Sequence, residues 1–176
     1  MAFKKADGPS LRKSFLSRSP QIYMKLFNTL VRPLPEYSSP VWNPQQVNHC
    51  KRIGAVQRRA TRRISSLRTL PYKERLASLQ MDSLFLRRLI ADLILVYKIT
   101  RRFTLSQCNL FSFASSRTRG HPFKVVTQFA NRKFRRHFFT IRVIKEWNSL
   151  PSHIVTCDSL SAFKTKLTSY LRKKYS

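Results

Sequence analysis

Apolar residues recur at three- and four-residue intervals along most of the chain, which predicts a mainly α-helical fold. One helix is predicted over about residues 45–67, and another follows the turn at Asp82 and Ser83, which supplies its N-cap. At about 100° per residue, the first helix gathers its apolar positions in one arc: Ile53, Val56, Ala60, Ile64 and Leu67. The second has a broader apolar face: Leu86, Leu89, Ile90, Leu93, Val96 and Tyr97. This broader face predicts the centre of the core.

Proline and capping signals predict the N-terminal elements. Ser19 followed by Pro20 indicates a helix start, and Pro33 ends that helix. Its expected apolar positions are Ile22, Leu26, Phe27 and Leu30. Four prolines between residues 32 and 44 exclude a regular helix or a central strand there. We therefore expect an ordered loop whose apolar anchors are Tyr37, Val41 and Trp42.

Shorter patterns divide the rest of the chain. Pro71 opens a short helix through Leu79, residues 123–129 predict one short strand or hairpin arm, and residues 131–148 have a helical pattern. Asp158 or Ser159 caps a last helix with apolar positions Leu160, Phe163, Leu167, Tyr170 and Leu171. The chain is thus expected to have a helical region at 1–100, a surface connection at 101–122 and a C-terminal helical segment at 123–176.

The charge balance predicts a polyanionic partner. The chain has 35 Lys and Arg against 7 Asp and Glu, so its formal net charge is +28. Because such a chain repels itself, RNA or DNA is the expected partner. Two other interpretations of the charge are a solvated basic surface without a specific partner and binding to an anionic membrane. The apolar arcs have the width of a shared protein core, which argues against a membrane partner.

Two groups of basic residues are the candidate nucleic-acid contacts. The first lies opposite the apolar arc of the 45–67 helix and comprises Lys51, Arg52, Arg58, Arg59, Arg62 and Arg63. The second, interleaved with phenylalanines in residues 131–139, comprises Arg132, Arg135 and Arg136. The nearby rings either stack on bases or pack in the core. Helical spacing favours packing for Phe134, Phe138, Phe139 and Trp147.

No catalytic or metal-ligating residue is predicted. Phosphoryl transfer by two metal ions needs clustered carboxylates, whereas the acidic residues are scattered singly: Asp7, Glu36, Glu74, Asp82, Asp92, Glu146 and Asp158. Asp92 is expected to pair with Arg88, one helical turn before it. There is no Gly-rich phosphate loop and no zinc-finger spacing, so we expect no cofactor and no small-molecule substrate.

Cysteine usage and the apolar segments bear on location. Cys50, Cys108 and Cys157 are odd in number and widely spaced, which favours reduced thiols in an intracellular protein of the nucleus or cytoplasm rather than a secreted one. The most apolar stretch, residues 84–99, is interrupted by two arginines and an aspartate. Such a stretch is expected to be a soluble helix and not a membrane span.

A run of short blocks resembles one protein family. Residues 26–44, LFNTLVRPLPEYSSPVWNP, closely resemble the reverse transcriptases of jockey-like, non-LTR (LINE-type) retrotransposons just after their palm. Later blocks similar to that family follow in a consistent order over about residues 14–171: VQRRATR, YKERL, LRR, YKI, RGH, FFTIRV and WNSLP. Pro35 departs from the family pattern.

The resemblance implies a thumb-like helical bundle over residues 1–100 and a post-thumb segment after it. Such a region grips template and primer, or element RNA, while the palm performs catalysis with Mg²⁺ at an aromatic-Ala-Asp-Asp motif that this sequence lacks. We therefore expect a truncated RNA-directed DNA polymerase fragment that binds nucleic acid nonspecifically without turnover. The alternatives are the tail of an intact polymerase with missed upstream exons and a cationic RNA- or DNA-binding interaction protein.

Overall fold

The computed structural model describes residues 19–101, 110–114 and 121–175, and these are mainly α-helical, as predicted. The α-helices are α1 Pro20–Leu26, α2 Ser39–Trp42, α3 Val47–Arg62, α4 Tyr72–Ser78, α5 Leu84–Thr100, α6 Lys133–Arg136, α7 Phe139–Arg142, α8 Ile144–Asn148, α9 Ser152–Val155 and α10 Leu160–Tyr175. A π-helical turn, Phe27–Val31, continues α1, and a 3-10 turn, Ser65–Leu67, follows α3. Most of the predicted 101–122 connection and the first 18 residues of the predicted N-terminal region lie outside the described residues.

The main core lies where α5 packs on α10. Leu93, Val96 and Tyr97 are fully buried, which confirms that α5 is at the core centre. The ring of Tyr97 stacks on that of Phe163 with 4.0 Å between the ring centroids. Its hydroxyl donates a hydrogen bond to the carbonyl oxygen of Cys157, so the polar end of this buried ring is satisfied.

Both long core helices begin where their sequence predicts. Ser83 Oγ accepts a hydrogen bond of 3.2 Å from the amide of Leu86, and Ser159 Oγ accepts one of 3.1 Å from the amide of Ala162. Each cap satisfies one amide that has no partner within its own helix. The predicted short helix after Pro71 is also present as α4.

A second, smaller core joins α1 to α3 and differs from the prediction. Its buried apolar members are Met24, Phe27, Ala60 and Ile64. The predicted contacts Ile22 and Leu30 are exposed instead, and so are two of the three expected loop anchors, Tyr37 and Val41. The prediction that residues 32–44 contain no helix is also wrong, because α2 forms at Ser39–Trp42; Pro40 lies in its first turn, where a missing amide hydrogen costs no helical bond. The part of the loop before α2 is held by polar contacts, because Glu36 accepts hydrogen bonds from the guanidinium of Arg87. Ion pairing with α5 thus replaces the apolar anchoring that the sequence predicted.

The predicted strand at 123–129 is reduced to one antiparallel bridge, Phe113 with Val125, in the described residues. The pairing itself is made by the neighbours of Val125, because the amide of Ala114 donates to the carbonyl oxygen of Lys124 and the amide of Val126 donates to that of Ser112. The backbone groups of Val125 bond to the side chain of Asn148 instead. Asn148 Nδ2 donates to the carbonyl oxygen of Val125 over 2.9 Å, and the amide of Val125 donates back to Asn148 Oδ1 over 3.0 Å. The amide side chain of Asn148 therefore occupies the edge of residues 124–126 that faces away from Phe113, where a further strand would otherwise pair.

The predicted single helix at 131–148 is wrong, because the segment forms the three short helices α6, α7 and α8. Phe138 interrupts it with an extended backbone, φ −63° and ψ 147°. The chain changes direction there, so Ile144 and Trp147 reach the core whereas Phe134 does not. Trp147 is fully buried, and its Nε1 donates to the carbonyl oxygen of Phe123 over 2.8 Å.

A buried histidine lies against this tryptophan. His121 Nε2 is 3.0 Å from the carbonyl oxygen of Trp147, and the two rings meet edge to face. His121 Nδ1 is buried and has no hydrogen-bond partner among the described residues. Burial lowers the pKa of His121 below 6.5, and nearby Lys124 lowers it further, while the bond to Trp147 opposes both effects. The folded protein therefore favours the neutral imidazole of His121, with Nε2 as the hydrogen-bond donor.

We expect the stability of the protein to fall as the pH drops below about 6.5, because His121 then takes up a proton more readily in the unfolded chain. The loss should develop between 6.5 and the lowered pKa of the folded state. His121→Gln keeps a donor for the Trp147 carbonyl oxygen and cannot titrate, so it should flatten this pH dependence. Urea unfolding from about pH 5 to 8 measures it. His153→Gln, at an exposed position, is the control and should retain the wild-type profile. An unchanged profile in His121→Gln would contradict this assignment.

Candidate nucleic-acid interface

The exposed face of α3 has most of the first predicted group of cations. Lys51, Arg52, Arg59 and Arg62 of α3 and Arg63, its C-cap, are all exposed, and the sequence of α3 has no carboxylate. We call these five residues the α3 cationic face. They extend over 12 helical steps, which is about 18 Å at 1.5 Å per residue. That length corresponds to about five nucleotide steps of a duplex strand at 3.4 Å each.

Arg58 differs from the other predicted contacts because it folds back on the protein. Its Nη2 donates to the carbonyl oxygen of Lys51 over 2.6 Å, and its guanidinium lies 5.7 Å from the ring centroid of Tyr72. Gly54 leaves room for this arrangement, since a Cβ there would approach Arg58 Nη1 to 3.0 Å, a tight contact. Arg58 is therefore only partly exposed and mainly fixes α3 against α4.

The buried face of α3 is centred on a polar residue that the apolar pattern could not predict. Gln57 is fully buried, and its Oε1 accepts from the hydroxyl of Tyr72 over 2.9 Å and from the amide of Leu84 over 3.0 Å. Its Nε2 donates to the carbonyl oxygen of Asp82 over 3.0 Å. Gln57 thus connects α3 to α4 and to the start of α5.

The polar face of α3 is consequently turned relative to the predicted arc. The predicted core residue Val56 is exposed, whereas Thr61 is fully buried beside Gln57. Ala60 and Ile64 are buried as predicted, while Ile53 and Leu67 are only half-buried. Because Gln57 fixes the rotation of the helix, the α3 cationic face has a defined orientation.

The second predicted group lies on and beside α6. Arg132, Arg135 and Arg136 are exposed. Arg136 Nε donates to the carbonyl oxygen of Ala130 over 3.1 Å, and Arg135 lies 5.2 Å from the ring centroid of Phe138. This group packs next to α7, whereas α3 packs on α4 and α5. The two groups are therefore on separate elements.

Two rings beside these arginines contradict the packing prediction. Phe134 is 81% exposed and Phe138 is 56% exposed, and the preceding Phe129 is 87% exposed. The other two rings agree with the prediction, since Trp147 is fully buried and Phe139 is half-buried against Phe111. The turn at Phe138 separates the exposed rings from the buried ones.

Arg142 belongs to the fold and not to the surface. Its Nη2 contacts both carboxylate oxygens of Asp92, at 3.0 and 3.1 Å, and donates to the carbonyl oxygen of Pro40 over 2.9 Å. The expected Arg88–Asp92 pair is wrong, because Arg88 Nε donates instead to Asn43 Oδ1 over 3.0 Å. Asn43 Nδ2 in turn donates to Asp92 over 3.2 Å.

Burial raises the pKa of Asp92, and the attraction of Arg142 is the largest effect opposing it. The side chains of Asp92 and Arg142 are only 4% and 6% exposed. Arg88 Nη1 and Arg142 Nε are also buried, without hydrogen-bond partners in the described part of the chain. Asp92 is thus the carboxylate that balances two buried arginines.

Three other carboxylates are in ion pairs. Glu36 pairs with Arg87, Asp82 with Arg172 at 2.8 Å, and Glu146 with Lys174 at 2.8 Å.

Within residues 19–101, 110–114 and 121–175, no three His, Cys, Asp or Glu side chains form a group able to hold a metal ion. No helix in those ranges has both the length and the apolar character needed to cross a bilayer.

We compared the chain with protein-family models, curated proteins and solved structures, and none of the three comparisons gave a match.

Proposed function

We propose that this chain is a noncatalytic nucleic-acid-binding region of the kind found in the thumb and post-thumb part of non-LTR retrotransposon reverse transcriptases, which it resembles in sequence. It binds RNA or DNA through phosphate contacts and reads little sequence. The observation that carries the proposal is the α3 cationic face, where five exposed basic residues lie on one helix without an acidic residue.

Electrostatics supports this assignment. Each phosphate that a protein neutralises releases condensed counterions, so closely spaced cations bind nucleic acid strongly at low salt. Four of the seven acidic residues are engaged in ion pairs elsewhere, on Arg87, Arg142, Arg172 and Lys174. The sequence of α3 itself contains no Asp or Glu. Phosphoryl transfer needs carboxylates clustered around metal ions. Because these four carboxylates are paired with Arg or Lys instead, we propose binding without catalysis.

A purely structural role for these arginines makes a different prediction. Cations in the last turn of a helix, such as Arg59 and Arg62, stabilise it through the helix dipole by about 0.3–1 kcal/mol. In that case their neutralisation would lower stability slightly and would change nucleic-acid affinity no more than neutralisation elsewhere.

The test is the salt dependence of binding to a labelled duplex. Changing Arg52, Arg59, Arg62 and Arg63 together to Gln should make the slope of log affinity against log salt shallower by roughly 3–4 units, at about 0.9 per phosphate. Sequence preference should stay unchanged, since phosphate contacts contain no base information. Arg58 is left intact because it holds α3 on α4.

The control removes the same charge from other elements. Lys145, Lys164, Lys166 and Lys173 are exposed on α8 and α10, and their change to Gln lowers net charge equally. Circular dichroism and melting temperature should show that both variants remain folded. If the two variants lose affinity and slope equally, only bulk charge matters and the role of the α3 cationic face is refuted.

A further inference from the structure

Three phenylalanines on one short segment are exposed to solvent. Phe129, Phe134 and Phe138 are 87%, 81% and 56% exposed, although apolar rings of this size are normally among the more buried side chains. A single exposed apolar residue is ordinary, but three exposed rings within ten residues are an unusual concentration. The fold has a core within reach, because Phe139 and Trp147 of the following helices enter it.

The neighbouring cations are exposed as well. Arg132, Arg135 and Arg136 lie between Phe129 and Phe138 in sequence, and all three are exposed. The guanidinium of Arg135 is 5.2 Å from the centroid of the Phe138 ring, so charge and ring are parts of one surface. We call these three rings and three arginines the aromatic–arginine surface.

This surface is fixed at both ends. Before it, Val125 makes two hydrogen bonds with the side chain of Asn148, and Phe123 accepts one from the buried Trp147. After it, Phe139 packs edge to face on Phe111, with 5.8 Å between the ring centroids. Within it, Arg136 is bonded to the carbonyl oxygen of Ala130. The rings are therefore presented from a held backbone, which lowers the entropy cost of binding.

We infer that the aromatic–arginine surface binds unpaired nucleotides, with bases stacked on Phe134 and Phe138 and phosphates beside the arginines. The inference rests on the proposed function, since it assumes that the chain binds nucleic acid. Stacking on aromatic rings combined with phosphate neutralisation is the way proteins hold single strands without reading sequence. The sequence of α3 has no Phe, Tyr or Trp ring beside its arginines, so the α3 cationic face suits the backbone of a duplex.

The test separates ring stacking from charge and from apolar character. Phe134→Leu with Phe138→Leu keeps an apolar side chain at each position and removes the aromatic face. Affinity for a labelled oligothymidylate of about 20 nucleotides should fall roughly tenfold or more, as expected for the loss of two stacked bases. Affinity for a duplex of the same length should change less than about twofold, and the salt slope for the single strand should stay the same, because no cation is removed.

Two control variants test whether the effect depends on the aromatic rings and on their position. Phe134→Trp with Phe138→Trp keeps the rings and should retain the wild-type affinity for the single strand. Phe85→Leu removes a ring that is 53% exposed on α5 and should have no effect on either probe. Because the substituted rings are exposed, melting temperatures should stay close to wild type, so lost affinity is not lost folding.

Several outcomes would overturn the inference. It is refuted if the Leu pair binds oligothymidylate as wild type does, or if it loses duplex and single-strand affinity equally. A third double variant, Phe134→Asp with Phe138→Asp, tests whether the surface binds anionic phospholipid vesicles instead. The inference is also refuted if this Asp variant loses only vesicle binding while the Leu variant keeps both vesicle and oligothymidylate binding. If neither nucleic-acid probe binds wild type, the proposed function itself fails. If the duplex binds and depends on the α3 cationic face while the Leu pair has no effect, only the present inference fails.

Discussion

Replacing Asp92 with alanine will lower the free energy of unfolding by about 3–5 kcal/mol, the usual cost of removing one partner from a buried ion pair. Two guanidinium groups explain the size of the effect. Arg142 contacts Asp92 directly, and Arg88 reaches it through Asn43. Both arginines would stay in the interior without a carboxylate. Chemical denaturation monitored by circular dichroism measures the loss.

A double variant tests whether the loss comes from the unbalanced charge. Asp92→Leu with Arg142→Met replaces the pair by apolar side chains, an exchange that is often neutral or stabilising in other proteins. The double variant should therefore be clearly more stable than the sum of the two single changes predicts. Additive losses would contradict the charge argument.

The matched control is an ion pair at the surface. Arg172 pairs with Asp82, but the Arg172 side chain is 59% exposed. Arg172→Ala should cost at most about 1 kcal/mol, the range measured for exposed pairs. The contrast between these two arginine–aspartate pairs would show that burial, rather than pairing itself, sets the energetic consequence.

Replacing Trp147 with alanine will lower the free energy of unfolding by about 3–5 kcal/mol, as for other large-to-small core changes. Trp147 is fully buried and contacts the rings of His121 and Phe163. Its removal leaves a cavity between α8 and α10. It also leaves the Phe123 carbonyl oxygen without the indole donor.

Trp147→Phe separates these two contributions, because it keeps most of the ring and loses the donor. We expect an intermediate loss of about 1–3 kcal/mol, the cost of a buried acceptor without a partner. Trp42→Ala serves as the control, since Trp42 is only half-buried and its indole bond lies within its own loop, to the Tyr37 carbonyl oxygen. A loss in Trp42→Ala as large as that in Trp147→Ala would refute the central position of Trp147.

The Trp147 result would also bear on the two proposed surfaces. Trp147 and Asn148 hold the backbone just before the aromatic–arginine surface, whereas α3 is held by the hydrogen bonds of Gln57 to Asp82 and Leu84. A Trp147→Phe variant that stays folded should therefore weaken single-strand binding more than duplex binding. Equal weakening would indicate a general loss of fold.

Local sequence determined the helices of the core and their starts. The apolar face of α5 and the caps at Ser83 and Ser159 were predictable because each depends on residues three or four positions away. The charge on one face of α3 was predictable for the same reason. Its exposed positions follow from helical periodicity, although its rotation does not.

Only the tertiary structure decided which polar residues are buried and which rings are exposed. Gln57 is buried because its three hydrogen-bond partners come from α4, from the turn before α5 and from the start of α5. Asp92 pairs with Arg142, fifty residues later in the chain, and not with Arg88, which lies one helical turn before it. Phe134 and Phe138 are exposed because the backbone turns at Phe138, which helical periodicity cannot show. For Gln57 and Asp92 the deciding partners are distant in sequence, and only packing brings them into contact.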